Sequence, residues 1–179
     1  MAQQPTPSER PGKTRTWWHP LLARLLDHEL ATAYTVWEEV LVGKLPLRVD
    51  ILLIRREGGE LSETHRRDLS VLLPLLNRYT LVEFKGPTDL LDPGDVVAQL
   101  VGCAFLWHSQ QAERIPHEDI SLVVLASRMN DGAREELQSL GWQAREQSPG
   151  LHCVTAAPFG MWVVETDVMA ELGSRSCRW

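Results

Sequence analysis

The sequence is short of cysteine, of positive charge and of long apolar runs. Cys103, Cys153 and Cys177 are odd in number and scattered, with no Cys-x-x-Cys pair. That usage argues against a disulfide framework and fits a reducing, cytoplasmic compartment. Eighteen Lys and Arg stand against 24 Asp and Glu, a formal net charge of −6. Such a balance argues against a general nucleic-acid coat, because phosphate binding favours a basic surface. It leaves a local groove or a metal-assisted site open. No apolar run approaches the roughly 18 residues of a membrane helix. The opening MAQQPTPSERPGKTRT has no apolar core of a secretory signal. HExxH, GxSxG, GxGxxG and Walker motifs are all missing, and the six histidines show no metal spacing.

What is present reads as one soluble α/β domain. At 179 residues and 44% hydrophobic content, the chain suits a single core. Residues 1–16, rich in Pro, Gln, Ser and charge, read as a disordered tail, 17–170 as the domain and 171–179 as a C-terminal tail. The chain ends abruptly after a helix start, which leaves room for a missing C-terminal piece. Leucines at helical spacing after His19-Pro20 predict a first helix. β-branched and aromatic content predicts strands over Tyr34 to Val42, Leu47 to Arg55 and Tyr79 to Lys85. A nearly all-apolar helix follows over Asp95 to His108, with Asp92-Pro93 as a possible cap, and then a buried parallel strand from Ile120. Asn130-Asp131 caps a helix that Gly141 ends, and two more strands are expected over Gln143 to Thr155 and Met161 to Thr166. Leu61 to Arg78 reads either as a helix broken at Pro74 or as an extended segment.

Polar residues in apolar surroundings mark the candidate site. Asp50 lies mid-strand in LPLRVDILLI, where an acid is costly without a partner. Alternation puts Arg48, Asp50, Leu52 and Ile54 on one face and Val49, Ile51 and Leu53 on the other. In YTLVEFKGPTD, Glu83 and Lys85 share a face at the end of a strand stopped by Gly86-Pro87. Glu29 falls on the leucine stripe of the first helix, either as an inward carboxylate or as a helix end reaching solvent. Gln99 is the strongly polar residue inside the apolar helix, a core amide or a group orienting water or phosphate. The bland alternative for Asp50, Glu83 and Lys85 is a buried ion pair that fixes strand register. His152 and Cys153 read as packing residues.

An Asp in one strand, Glu83-Phe84-Lys85 in the next and a helix with an early Gln99 together resemble the PD-(D/E)XK nuclease superfamily. Within it the chain looks most like the uncharacterised bacterial and recombination-promoting nuclease-like branches. The resemblance covers about residues 17–127 and implies an αβββαβ core, a mixed sheet flanked by helices. It implies a metal-dependent nuclease acting on DNA more than RNA, with no membrane partner and with a homodimer among its assemblies. The alternative is a catalytically inactive relative serving as a binding or assembly module. Asp50, Glu83 and the Phe84 backbone carbonyl would hold Mg²⁺ or Mn²⁺, Lys85 would act on water and phosphate, and Gln99 would orient them. The helix-borne acid would be Glu29, with Glu38 or Glu39 of the first strand as substitutes. The sequence departs from the family in having Val49, not Pro, before the Asp.

Overall fold

Ile120–Ala126 is apolar on both faces and buried at all seven positions, so this strand must lie inside a sheet covered on both sides. It is β4 of a seven-stranded mixed sheet in the order β1-β2-β3-β4-β7-β6-β5. The computed structural model describes residues 18–42, 47–86, 91, 95–111, 115–155 and 157–176. The helix α1 (Trp18–Leu30) precedes an antiparallel meander of β1 (Tyr34–Val42), β2 (Leu47–Arg55) and β3 (Tyr79–Phe84). Helix α3 (Asp95–Ser109) crosses over from β3 to its parallel neighbour β4. This is the αβββαβ order that the resemblance implied.

Beyond the core, α4 (Asp131–Ser139) leads to β5 (Gln143–Ser148), β6 (Leu151–Thr155) and β7 (Gly160–Glu165), and α5 (Thr166–Ser176) follows. β7 runs parallel to β4, and β6 and β5 continue antiparallel outward. The Asn130 side chain accepts the Ala133 amide at 2.8 Å as the N-cap of α4, and Gly141, at φ +77°, follows its end.

Helices cover both faces. On one face Leu100, Cys103, Ala104 and Trp107 of α3, with Ala133 and Leu137 of α4, pack on Leu52, Leu81, Leu122, Val124 and Met161. On the other, Ala23, Leu26 and Leu30 of α1 pack with Leu75 on Ile51, Leu53, Val82, Val123 and Leu125. Burial of this kind contributes about 25 cal/mol per Å² of apolar surface and is what holds the layers together. No helix among the described residues is long and apolar enough to cross a membrane.

Several details differ from the sequence reading. Gln143 to Thr155 is two strands, because Gly150 at φ +79° turns the chain back between β5 and β6. Leu61 to Arg78 holds both a short helix, α2 (Glu63–Asp68), and a 3₁₀ turn at Leu73–Leu75 that accommodates Pro74. Helix α5 continues to Ser176, into the stretch read as a tail. Face alternation in β2 breaks at Asp50: Val49 packs with Leu52 in the α3 layer, whereas Ile51 and Leu53 belong to the α1 layer. Opposite this point Glu39 has φ +46°, outside the strand region, so both strands lose their regular pleat together. The N-terminal tail and the Asp92-Pro93 cap lie outside the described residues.

Candidate active site

The meander opens at the end of β3. Regular pairing runs from Ile54↔Tyr79 to Ile51↔Val82, and one further step would set Asp50 opposite Glu83. There the ladder changes character. The Phe84 amide donates to Asp50 Oδ2 at 2.9 Å, so a side chain takes the role of a strand acceptor. On its other edge β3 stays attached, since the Lys85 amide donates to the Leu125 carbonyl at 2.8 Å. The result is a strand end fixed to β4 and parted from β2 by a carboxylate.

Glu83 and Lys85 follow from this anchoring. They lie two residues apart, and Lys85 Nζ donates to Glu83 Oε1 at 3.3 Å. Both side chains are largely shielded, at 22% exposure for Lys85 and 19% for Glu83. Burial, and then the neighbouring Asp50 carboxylate, push the Glu83 pKa up to about 7, against the lowering pull of Lys85 and His19. Cys103 reaches the same neighbourhood from α3: burial first, and the Glu83 charge second, raise its thiol pKa.

The helix-borne partner of Asp50 is His19. Its Nε2 donates to the Phe84 carbonyl at 3.1 Å, and its Nδ1 lies 3.7 Å from Asp50 Oδ1. The ring meets that of Phe84 edge-on, with centroids 5.9 Å apart. His19 thus touches two of the three groups expected to hold a cation. Sequence reasoning passed over it as the residue before Pro20. Its one signal was position, a polar ring at the start of an apolar helix, ahead of the leucine stripe.

Glu29 is placed elsewhere. Ten residues of α1 span about 15 Å, so His19 and Glu29 mark opposite ends of the helix. Glu29 lies 3.8 Å from His65 Nε2 and 4.0 Å from His28 Nε2, beside an apolar groove of about 520 Å³ between α1, Leu69–Leu75 and α5. Glu38 pairs with Ile51 and Val40 with Val49, which leaves Glu39 across from Asp50. Glu38 is exposed and Glu39 half-buried. Gln99 is the fifth residue of α3, and its side chain lies outside the described residues.

Among the described residues no three His, Cys, Asp or Glu side chains are gathered as a ready cage for a metal ion. Asp50 and Glu83 nevertheless suit one mode of binding. Mg²⁺ is commonly held by one or two carboxylates, with water and substrate phosphate completing its shell. Two partly buried carboxylates, Asp50 raising the pKa of Glu83, beside the Phe84 carbonyl, form such a donor set.

No protein-family model matches the chain, and no curated protein matches it. Among solved structures the chain is similar to a repair endonuclease from Pyrococcus abyssi, at 14% identity, covering 75% of this chain and 46% of that one, with a TM-score of 0.40. It therefore spans less than half the length of that structure. A likeness of this size carries nothing about chemistry, which rests on the residues themselves.

Proposed function

We propose that this chain is a metal-dependent nuclease of the PD-(D/E)XK type, hydrolysing phosphodiester bonds with DNA as its favoured substrate. The observation that carries the proposal is the meeting of Asp50 and Glu83, with Lys85 on Glu83, where β2 and β3 part. Two carboxylates in one shielded place repel each other, and a cation relieves that repulsion.

Asp50, Glu83 and the Phe84 carbonyl would hold Mg²⁺ or Mn²⁺. When bound, the ion supplies Lewis acidity to the phosphate and lowers the pKa of bound water. The chain's own groups do the rest. Glu83, with a pKa raised to about 7, would release its proton to solvent on joining that donor set. Lys85, held beside Glu83, would use its remaining N–H donors on a phosphate oxygen and stabilise the charge that builds as water attacks phosphorus and the leaving oxygen departs. His19 positions the Phe84 carbonyl by its 3.1 Å hydrogen bond and lies against Asp50. Gln99, near the start of α3, would orient water or phosphate.

The test is cleavage of supercoiled plasmid, single-stranded DNA and RNA by purified protein with Mg²⁺ or Mn²⁺, wild type beside Lys85→Ala and Asp50→Asn. Cleavage by wild type that both variants lose supports the proposal. No cleavage of any substrate, or equal cleavage by Lys85→Ala, overturns it.

One observation favours a second reading, a catalytically inactive nuclease-fold module. His19 already engages the Phe84 carbonyl, and Lys85 already donates a hydrogen bond to Glu83, so the groups have partners without a metal. Calorimetry decides between the two. Mg²⁺ or Mn²⁺ binding that is lost in Asp50→Asn supports the nuclease, and no binding in either protein supports the module.

A further inference from the structure

At the opposite end of the sheet, where β4 begins, two imidazoles face one cavity. His108 closes α3, and His117 opens the 3₁₀ turn His117–Asp119 that leads into β4. With Ile115, Pro116 and Glu118 they line a cavity of about 430 Å³. We propose that His108 and His117, completed by Glu118, form a site for a borderline transition-metal ion, Zn²⁺ above all, that ties the end of α3 to the start of β4. The proposal is independent of the nuclease reading and uses none of its residues.

Three observations carry it. His108 Nε2 lies 2.7 Å from the Ile115 carbonyl, and a carbonyl can only accept, so Nε2 bears the hydrogen. In the neutral ring Nδ1 is then the lone-pair nitrogen. A backbone carbonyl fixing one ring nitrogen while the other stays basic is how metal-binding histidines are oriented. The second observation is spacing. The ring centroids of His108 and His117 are 4.8 Å apart at 73°. With Zn–N of about 2.0–2.1 Å, two imidazoles on one tetrahedral ion place their ring centres about 5 Å apart. The third is the surrounding shell. Phe159 lies tilted at 60° against His117 with ring centroids 5.0 Å apart, and Phe105 meets it edge-on at 6.0 Å, so both rings pack it beside His108.

The described residues contain no ready three-ligand cage, so the pair of imidazoles is the fixed half of the site. Glu118 is exposed and lines the same cavity, so its carboxylate can swing in as third donor, with water as the fourth. Linear spacing hides such a site because its ligands come from a helix end and a separate turn. Imidazole donors favour Zn²⁺, Ni²⁺ or Cu²⁺ over Mg²⁺, whereas the oxygen donors of Asp50 and Glu83 suit Mg²⁺ or Mn²⁺, so excess Mg²⁺ competes at the carboxylates and not at the imidazoles.

The experiment is calorimetric titration of the tag-free, full-length chain with Zn²⁺ in the presence of excess Mg²⁺, together with a thermal melt. One Zn²⁺ per chain at micromolar affinity is expected, with a rise in Tm. His117→Ala, whose side chain is exposed, should weaken binding at least ~10-fold and abolish the Tm rise. His108→Gln should do the same, and Asp50→Asn should leave Zn²⁺ binding unchanged. Affinity no better than millimolar, equal binding by His117→Ala, or loss of binding in Asp50→Asn would each overturn the proposal.

Discussion

The carboxylate of Asp50 accepts the Phe84 amide at 2.9 Å, in the place where a backbone carbonyl of β2 would continue the ladder. One side chain therefore ends a strand pairing and faces the site at once. The two roles separate by substitution. Asparagine keeps an acceptor oxygen, so Asp50→Asn should fold with near wild-type stability and lose cation binding. Asp50→Ala leaves the amide without its acceptor and should cost about 1–3 kcal/mol by urea denaturation. Equal stability of the two variants would show that the hydrogen bond contributes nothing.

Glu83 makes stability depend on pH in an unusual direction. Its pKa is raised to about 7, above the ordinary carboxylate value of 4.5. Between those values the folded chain holds a proton that the unfolded chain has lost, so stability falls as pH rises through this window. Glu83→Gln should flatten that slope and raise Tm more at pH 8 than at pH 5, while removing cleavage. Saturating Mg²⁺ should flatten the same slope in wild type by favouring the ionised carboxylate. Melting curves of both proteins from pH 4 to 8 read this directly, and parallel curves would refute the assignment.

Lys85 is the cation nearest Glu83, so its removal has an electrostatic signature apart from activity. Lys85→Met takes away a charge and a hydrogen bond that lower the Glu83 pKa. The Glu83 carboxyl should then titrate above about 7 by NMR. Cleavage should fall at least ~100-fold, as expected when a group stabilising transition-state charge is lost. Asp50→Asn acts oppositely on the same carboxyl, lowering its pKa by removing a neighbouring negative charge. Shifts of the same sign in the two variants would contradict this arrangement.

Much of the frame was legible because its signals are local. The apolar runs of β2, β3 and β4, the cap at Asn130 and the stop at Gly141 each follow from neighbours in sequence. Glu83 and Lys85 were legible for the same reason, two residues apart on one strand. What escaped is non-local. His19 reaches Asp50 only because α1 packs with its N-terminus at the open end of the meander. Glu29 looked inward on a helical wheel, but a wheel carries no information on which end of a helix meets the site. The switch of Val49 between layers depends on Glu39, a residue of the neighbouring strand, leaving the β region. His152, read as a packing residue, is buried as expected, but its partner Glu165 lies on the next strand.

That pair gives the last prediction. His152, at 2% exposure, meets Glu165 Oε2 at 2.6 Å, and the other oxygen of Glu165 accepts the Met129 amide at 2.8 Å. Burial tends to raise the Glu165 pKa, but the Met129 amide, His152 and Arg134 outweigh it and hold it below the ordinary carboxylate range. A lowered acid contributes stability that is present above its unfolded pKa and lost as pH falls through the folded one. The stability that this pair contributes should therefore be lost on acidification, with His152 Nδ1 already buried and unpartnered. Removing either member leaves the other without its partner, so Glu165→Ala and His152→Ala should each cost about 3–5 kcal/mol. The double variant should cost less than the two together, because the interaction can be lost only once. The damage should also travel. Met129 forms a parallel bridge with Leu91, and the Leu91 amide donates to the Arg128 carbonyl at 2.8 Å, so Glu165 braces the connection that follows the strand bearing Glu83. Hydrogen exchange at the Leu91 and Met129 amides should accelerate in Glu165→Gln. That variant retains an acceptor for one partner at most, since its amide nitrogen can only donate. Unchanged exchange at both amides would confine Glu165 to its own corner of the sheet.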